Sequence, residues 1–396
     1  MTKQVRGFLV LVAGLAVVGL ASCGHYTCSA TFGASSCTPS GSGLGGGGTT
    51  GSPAAFVYFA DDNNGDINAA LLDTAANFNE ITGFTEPTFP AAIDGGMVVV
   101  QKQWLYMPLT SDEILGYSIN TTTGALTALP LSPYPTSVSF SISSDPLGHF
   151  LFVAAEGGGV SVYQISQTDG SLTLVPGSPF ATPGFAWSTT TDGLGKFLYV
   201  SQGPLADEVA AFSINSSTGA LTPVPGSPFA GVGFNMSSVK GEASGKFLLG
   251  TTGLVGVNGE AIDNHIYVFN INQSTGAISP VSGSPFTTLY SPINIAVHPS
   301  GTFVYSFSEN SSGENGPMEG FQISSTGTLT ELSTSPFTSL SFEVGIGTFD
   351  QSGAYLFTHP VGSVGALAVD ASTGALSSVS SVGIGSNFGW APVDAQ

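Results

Sequence analysis

Short apolar runs rich in aromatic residues recur along the chain, and polar, glycine-rich turns separate them. Seven such runs lie at residues 56–60, 104–108, 150–154, 197–201, 247–251, 303–307 and 355–359. A turn motif of the type Thr-Gly-Ala-Leu recurs with them, and its glycines at 124, 170, 219, 276, 327 and 374 are 46, 49, 57, 51 and 47 residues apart. Glycine supplies the positive φ that tight hairpins need. No segment has helical periodicity, so the pattern predicts short β-strands only.

Each period can be divided into four strands, which predicts an all-β fold. In the sixth period the predicted strands are 293–297, 303–307, 320–323 and 329–332, with a hairpin at 325–327. Four short strands in every ~50 residues, seven times over, is typical of a seven-bladed β-propeller with four-stranded antiparallel blades. A row of sandwich domains would need about 100 residues per unit. The first blade lacks its first strand, and we expect residues 387–393 to supply it beside 56–60 and to close the ring.

The first 52 residues differ from the repeats. Residues 1–22 combine a positive start with a short apolar core, as signal peptides do, and Leu-Ala-Ser precedes Cys23. This pattern resembles the lipobox of bacterial lipoproteins; the alternative is an ordinary secretory signal. The resemblance implies a lipid on Cys23, a membrane anchor in the cell envelope outside the cytoplasm, and the outer membrane in particular. Residues 23–52 form the lipidated start and a flexible Gly/Ser linker, in which Cys28 and Cys37 are candidates for a disulfide. The propeller then takes residues 53–396.

Charge narrows the classes of partner. Only 8% of residues are charged, and after residue 22 there are four lysines, no arginine and 26 acidic residues, so the net charge is 4 − 26 = −22. Nucleic acid is therefore excluded as a partner, because phosphates must be neutralised by cations. Anionic substrates are disfavoured for the same reason.

The repeats resemble those of a known family. Segments such as HPSGTFVYSFSEN (298–310), followed by TGTLTELSTSPF (326–337), look like the seven-bladed lactonase-type propellers, the group of the 6-phosphogluconolactonases. The resemblance covers residues 52–396 and implies lactone chemistry with a carboxylate, a histidine and arginines. This chain departs from that pattern because it lacks the arginines. The fold alone does not establish an activity.

Two classes of polar residue can be separated by their place in the repeat. His298 stands three residues before a turn glycine, as Asp145, Asp192, Glu242 and Asp350 do, and we interpret all five as turn residues. Glu309 and Glu156 follow the aromatic strands, where the resemblance implies a catalytic carboxylate. A strand separates His298 from Glu309, so they lie at opposite faces and cannot form a catalytic pair. The histidines placed to serve as bases are His265 and His359.

Acidic residues concentrate in the loops that follow these strands, which predicts an acidic upper face. The candidate ligand-binding residues there are Asp61, Asp62, Asp112, Glu113, Asp207, Glu208, Glu260, Asp263, Glu314 and Glu319. The face could bind Ca²⁺, could bind a basic protein or a carbohydrate, or could serve solubility only. No cofactor is required by any motif, and no metal ligands can be assigned. We predict a ligand- or protein-binding module; the alternative is a lactonase acting on a neutral sugar-type lactone with Glu309 or Glu156 and His265 or His359.

Overall fold

A computed structural model describes most of the predicted propeller. The described residues are 26–28, 37–39, 53–61, 66–81, 87–88, 96–137, 139–155, 157–203, 206–232, 236–252, 263–309, 316–338, 347–358, 363–383 and 393–395. The chain divides into two units, Met1–Gly48 and Thr49–Gln396. In the first unit, strand Tyr26–Cys28 pairs with strand Cys37–Pro39, and Cys28 and Cys37 are backbone partners. That register suits the predicted disulfide, which stays a prediction. Cys23 lies outside the described residues.

The second unit is the predicted seven-bladed propeller, and we call the strands of each blade a to d from the centre outwards. In blades one to four the strands are, in this order, Val393–Ala395, Pro53–Asp61, Asp66–Asp73 and Phe78–Glu80; Val98–Val100, Trp104–Leu109, Glu113–Ile119 and Leu126–Ala128; Ser139–Ser144, Phe150–Ala155, Gly159–Ile165 and Leu172–Leu174; and Phe185–Thr191, Phe197–Gly203, Glu208–Ile214 and Leu221–Pro223.

Blades five to seven repeat this order. Their strands are Ser238–Gly241, Phe247–Thr251, His265–Ile271 and Ile278–Pro280; Ser291–Val297, Phe303–Glu309, Glu319–Ile323 and Leu329–Glu331; and Gly347–Phe349, Tyr355–Thr358, Ser363–Val369 and Leu376–Gly383. Three further two-residue strands, Tyr134–Pro135, Phe229–Ala230 and Phe286–Thr287, pair with strand c of blades two, four and five. The described residues contain no helix, and thus none long and apolar enough to cross a membrane.

The a strands form a closed ring, because each contacts strand a of the next blade all the way round. The ring is closed by the C-terminal strand, as predicted, but at a different register. Val57, Tyr58 and Phe59 pair with Ala395, Asp394 and Val393. Ala395 therefore takes the place that Phe349 has in blade seven, opposite the residue that follows the first aromatic of strand b. The predicted alignment of segment 387–393 was thus two residues too early, because Asp394 was matched to a turn acid although it lies within the ladder; residues 387–392 lie outside the described residues.

The recurring aromatic and glycine markers meet at the boundaries between blades. The first aromatic of strand b packs on the turn glycine of the next blade; Phe150 contacts Gly219, whose φ is +73° and where a Cβ would lie 2.6 Å from the ring. Four tyrosines add a bond at the same place: Tyr58, Tyr106, Tyr199 and Tyr305 donate through their hydroxyls to the carbonyls of Gly124, Gly170, Gly276 and Gly374. Both markers therefore hold neighbouring blades together.

A Ser-Pro-Phe motif recurs at residues 178–180, 227–229 and 284–286, and it is also structural. The serine hydroxyl accepts the N–H of a strand c residue, for example from Ala211 to Ser227 at 2.8 Å and from Val268 to Ser284 at 3.0 Å. Its aromatic ring packs against the hydrophobic cluster between blades, as Phe180, Phe229 and Phe286 do. These rings therefore serve packing between neighbouring blades.

We call the face with the a–b and c–d turns the lower face and the opposite one the upper face. On the lower face, His298 is buried, with Nδ1 bonded to the Ser300 hydroxyl at 2.6 Å and Nε2 to the Gly353 carbonyl at 2.9 Å. Its interpretation as a turn residue is confirmed. The same slot in other blades holds acids whose carboxylates accept backbone N–H groups of the turn.

Candidate functional site

The predicted site residues are spread over the upper face, and the structure describes only some of them. Glu156, His359, Asp62, Glu260 and Glu314 lie outside the described residues. Asp61 and Glu309 end strand b of blades one and six, and only their backbone is described. Backbone pairing sets Glu309 opposite Ser291, whose hydroxyl donates to the Asp263 carbonyl at 3.3 Å. The end of strand b in blade six therefore adjoins Asp263 of blade five.

Two acidic pairs lie at the start of strand c in other blades. Asp112 is exposed and Glu113 half-buried in blade two, where Ser111 donates to Glu113 at 3.1 Å. Asp207 and Glu208 are half-buried at the corresponding edge of blade four. The prediction that these acids occupy the upper face agrees with this placement, while their role in binding stays a prediction.

Blade five brings together three side chains that could perform acid–base chemistry. Asp263 Oδ1 is bonded to His265 Nδ1, and Asp263 Oδ2 accepts from the Tyr267 hydroxyl at 2.7 Å and from the Thr252 hydroxyl at 2.9 Å. Both members of the Asp263–His265 pair are partly exposed, with 27% and 34% of the side chain accessible. A carboxylate on one ring nitrogen fixes the orientation of the imidazole and leaves the other nitrogen to act on a substrate.

Tyr267 lies close enough to blade four for the charge of Asp207 to act on its hydroxyl group. Burial raises the pKa of Tyr267 most, and the bond to Asp263 and the charges of Asp263 and Asp207 raise it further. Its hydroxyl therefore stays protonated and serves as a donor that fixes Asp263. Sequence reasoning missed Tyr267, although a signal was present. The signal is the spacing of two residues from Asp263 to His265 and from His265 to Tyr267, because alternate positions of a strand face the same side.

Glu319 differs from the other predicted acids because it is buried, with 1% of its surface exposed. It begins strand c of blade six, and both carboxylate oxygens accept from the Leu289 N–H at 3.0 and 3.1 Å. Burial raises its pKa to about 7, an effect that the Leu289 bond opposes and the charge of Glu331 increases. A carboxyl group with a pKa near neutrality is suited to proton transfer. Glu319 is thus beneath the upper surface and not on an exposed loop.

The four lysines after residue 22 lie away from these acids. Lys102, Lys196 and Lys246 belong to a–b turns on the lower face, and Lys240 is next to the lower end of strand a in blade five. None of them is near the loops of the upper face, since a–b turns and b–c loops are at opposite ends of the strands. The upper face of the described structure therefore offers no side-chain cation to an anionic ligand.

A metal site is not formed within the described part of the chain. No group of three or more His, Cys, Asp or Glu side chains there is arranged to hold an ion. Several acids of the predicted upper face, such as Asp62, Glu260 and Glu314, lie outside the described residues, and Ca²⁺ binding stays a prediction.

One family model matches part of the chain. Residues 252–387, about a third of the chain, match the family model "Lactonase, 7-bladed beta-propeller". No curated protein matches the chain significantly.

Solved structures resemble the fold over most of its length. A proposed 6-phosphogluconolactonase from Bacteroides uniformis is 15% identical with a TM-score of 0.64, and the match covers 86% of this chain and 99% of that one. The periplasmic gluconolactonase of Pseudomonas aeruginosa is 14% identical with a TM-score of 0.62 and the same coverage. At such identities the likeness establishes the fold alone. The chain is thus a seven-bladed β-propeller that resembles the lactonase-type propellers, as its repeats predict, and its residues 252–387 match their family model.

Proposed function

We propose that this protein is a lactone hydrolase and that its substrate is an uncharged lactone. The observation that carries the proposal is the lactonase family match over residues 252–387, which includes the Asp263–His265 pair and Glu319. The proteins of similar fold include one named as a gluconolactonase. This support favours hydrolysis over the binding-module prediction, which rested on the acidic loops alone.

The charge distribution argues for an uncharged substrate. Phosphate and carboxylate groups are normally held by arginine or lysine, and the described upper face has neither. It carries instead the acids Asp112, Glu113, Asp207, Glu208 and Asp263, which would repel an anion. A 6-phosphorylated lactone is therefore a poor fit for this chain, whereas a sugar lactone without phosphate is compatible with it.

His265 is placed to serve as the base. Its Nε2, which has no hydrogen-bond partner among the described residues, takes a proton from a water molecule while the water oxygen attacks the lactone carbonyl carbon. The tetrahedral intermediate collapses with cleavage of the ring C–O bond, and the imidazolium returns the proton to the ring oxygen as it leaves. Each molecule of lactone consumes one water molecule and yields one molecule of the open hydroxy acid. Asp263 holds Nδ1 protonated and stabilises the imidazolium, and Tyr267 holds Asp263.

The test is hydrolysis by the purified chain of a lactone panel that pairs D-glucono-1,5-lactone with its 6-phosphate, corrected for spontaneous ring opening. We expect turnover of the uncharged lactone and a loss of about 100-fold to 10,000-fold in kcat for His265→Gln. The matched control is His149→Gln, because His149 lies in a lower-face turn. Absence of turnover, or full activity in His265→Gln, would refute the proposal.

The proposed location of this activity is the cell envelope, with the chain anchored by lipid on Cys23. The support is the lipobox-like sequence before Cys23. A Cys23→Ser variant should lose both incorporation of a labelled fatty acid and sedimentation with the membrane fraction. Sedimentation that is unchanged in the variant would contradict the anchor.

A further inference from the structure

Two innermost strands carry an extra aromatic residue near their upper ends. In blade three, Ser139 pairs with Ala155 and Ser141 pairs with Ala154, so Phe140 is left outside the pairing. In blade four, Ala186 pairs with Gln202 and Ser188 pairs with Ser201, so Trp187 is left outside the pairing. Such bulges re-aim a side chain and are common beside active sites. Here both bulged residues are large aromatics on the strands that line the propeller axis.

The two rings form one stacked unit. Their centroids are 5.0 Å apart and their planes differ by 7°. Both side chains are half-buried, so part of the stack faces solvent at the upper face. Phe185, which begins the same strand as Trp187, is 38% exposed. The unit is thus an aromatic surface that the folded chain leaves partly uncovered.

Gly203 gives the indole its position. It ends strand b of blade four, and a Cβ there would lie 2.8 Å from Trp187 Cε3. Any side chain at residue 203 would therefore displace the ring. The indole thus packs against the backbone of Gly203 as well as on Phe140.

Two buried polar groups, on the residues next to Phe140 and Gly203, have no hydrogen-bond partner among the described residues. Ser139 Oγ precedes Phe140, and Gln202 Nε2 precedes Gly203; both residues are fully buried. The Gln202 amide oxygen accepts from the Gly184 N–H at 2.6 Å, so its orientation is set and the NH₂ group is the free end. Buried polar groups without partners cost free energy unless a ligand or water pairs with them. A fixed aromatic surface with a hydroxyl and an amide donor is the composition of a ligand site.

We propose that Phe140 and Trp187 form the floor of a binding site for an uncharged sugar ring at the mouth of the central channel, with Gln202 and Ser139 as partners of its hydroxyl groups. The C–H face of a sugar is apolar and stacks on aromatic rings, while its edge carries the hydroxyls that unpaired donors and acceptors bind. That the sugar is the substrate rests on the proposed lactonase function; that a sugar binds here does not.

The test uses the full chain and two probes that cannot be hydrolysed as lactones, D-glucono-1,5-lactam and methyl β-D-glucopyranoside, in calorimetric titrations. We expect Trp187→Ala to weaken binding at least tenfold and Trp187→Phe by about threefold, because phenylalanine keeps part of the stacking surface. Gly203→Ala should also weaken binding, although every residue that contacts the ligand is still present in this variant. Trp104→Phe, a change to a buried tryptophan on the lower side, is the matched control, and melting curves verify folding of each variant.

Kinetics separate this proposal from the lactonase proposal. Trp187→Ala should raise KM at least tenfold with kcat within a factor of two, while His265→Gln should lower kcat and leave binding of the lactam unchanged. Binding of the lactam without any lactone turnover would support the sugar site and refute the hydrolase. Lactone turnover with wild-type KM in both Trp187→Ala and Gly203→Ala, or no binding of either probe to the wild-type chain, would overturn the sugar site; the unpaired groups would then hold water only.

Discussion

Buried polar groups on the lower face are bonded to the backbone, whereas several on the upper half of the propeller have no hydrogen-bond partner among the described residues. Asp192 accepts from the N–H groups of Lys196, Phe197 and Leu194 at 2.7, 2.8 and 3.3 Å, and Glu242 bonds its turn in the same way. The unpartnered atoms of the upper half include Ser139 Oγ, Gln202 Nε2, Thr251 Oγ1, Asn264 Oδ1, Ser306 Oγ, Ser308 Oγ and Thr358 Oγ1.

Buried polar groups thus have different roles on the two faces. A carboxylate that accepts three backbone N–H groups stabilises its turn, and the same slot is filled in successive blades because every blade needs that turn. An unpaired hydroxyl or amide costs stability in the empty protein. Such groups are therefore expected where water or a ligand enters, and they concentrate on the face that carries Asp263, His265 and the aromatic pair.

The largest stability effect should come from the lower face. Asp192→Ala leaves three backbone N–H groups without an acceptor, and we expect the free energy of unfolding to fall by about 3 kcal/mol. Urea denaturation measures the change. Asp192→Asn keeps one acceptor oxygen and should lose about half as much. A loss below about 1 kcal/mol in Asp192→Ala would remove the distinction between the two faces.

A second effect concerns pH and Glu319. Its pKa is raised from 4.5 to about 7 in the folded chain, mainly by burial. Below pH 4.5 the carboxyl group is protonated in the folded and unfolded states, and folding has no penalty. Between pH 4.5 and 7 only the unfolded state ionises, so stability falls as pH rises, by about 2 kcal/mol when partial solvent screening is allowed for.

The measurement is the free energy of unfolding at pH 4.5, 5.5, 6.5 and 7.5. Glu319→Gln should remove this decrease, because glutamine keeps an acceptor for the Leu289 N–H and does not ionise. Equal pH dependence in the wild-type and Glu319→Gln chains would mean that the group is solvated in the folded state.

The smallest effects compare two threonines that differ in bonding. Thr251 has a buried hydroxyl with no partner in the described part of the chain, so Thr251→Val should leave stability unchanged or raise it by about 1 kcal/mol. Thr190 accepts from the Gly241 N–H at 3.1 Å, so Thr190→Val should lower stability by about 1 kcal/mol. Melting temperatures report both changes. A loss of stability in Thr251→Val would indicate that bound water already satisfies its hydroxyl.

Periodicity was sufficient to predict the blades, the strand order within them and the turn role of His298, because each is repeated at a fixed offset. It could not predict the bulges at Phe140 and Trp187. A bulge depends on how strand a pairs with strand b, and that register is set by contacts between strands that the spacing of residues does not record. The C-terminal strand was misplaced for the same reason, since Asp394 looks like a turn acid but pairs within the ladder.

The candidate site was predicted in part. Asp263 and His265 were both selected, but separately, although their spacing of two already places them on one side of a strand. The burial of Glu319 could not be foreseen, because it depends on the loop from blade five that passes over it through Leu289. Tyr267 was missed because tyrosine in a strand is ordinarily a packing residue.

The closure of the ring has a consequence for the order in which the chain becomes structured during synthesis. Blade one takes strands b to d from residues 53–80 and strand a from Val393–Ala395. A ribosome therefore delivers the outer part of blade one before any other blade and its innermost strand after all of them. Until then the inner edge of Pro53–Asp61 is an open template for pairing with another chain. Blades two to seven are each complete as soon as their own segment emerges, so exposure to misassembly during translation is concentrated in blade one.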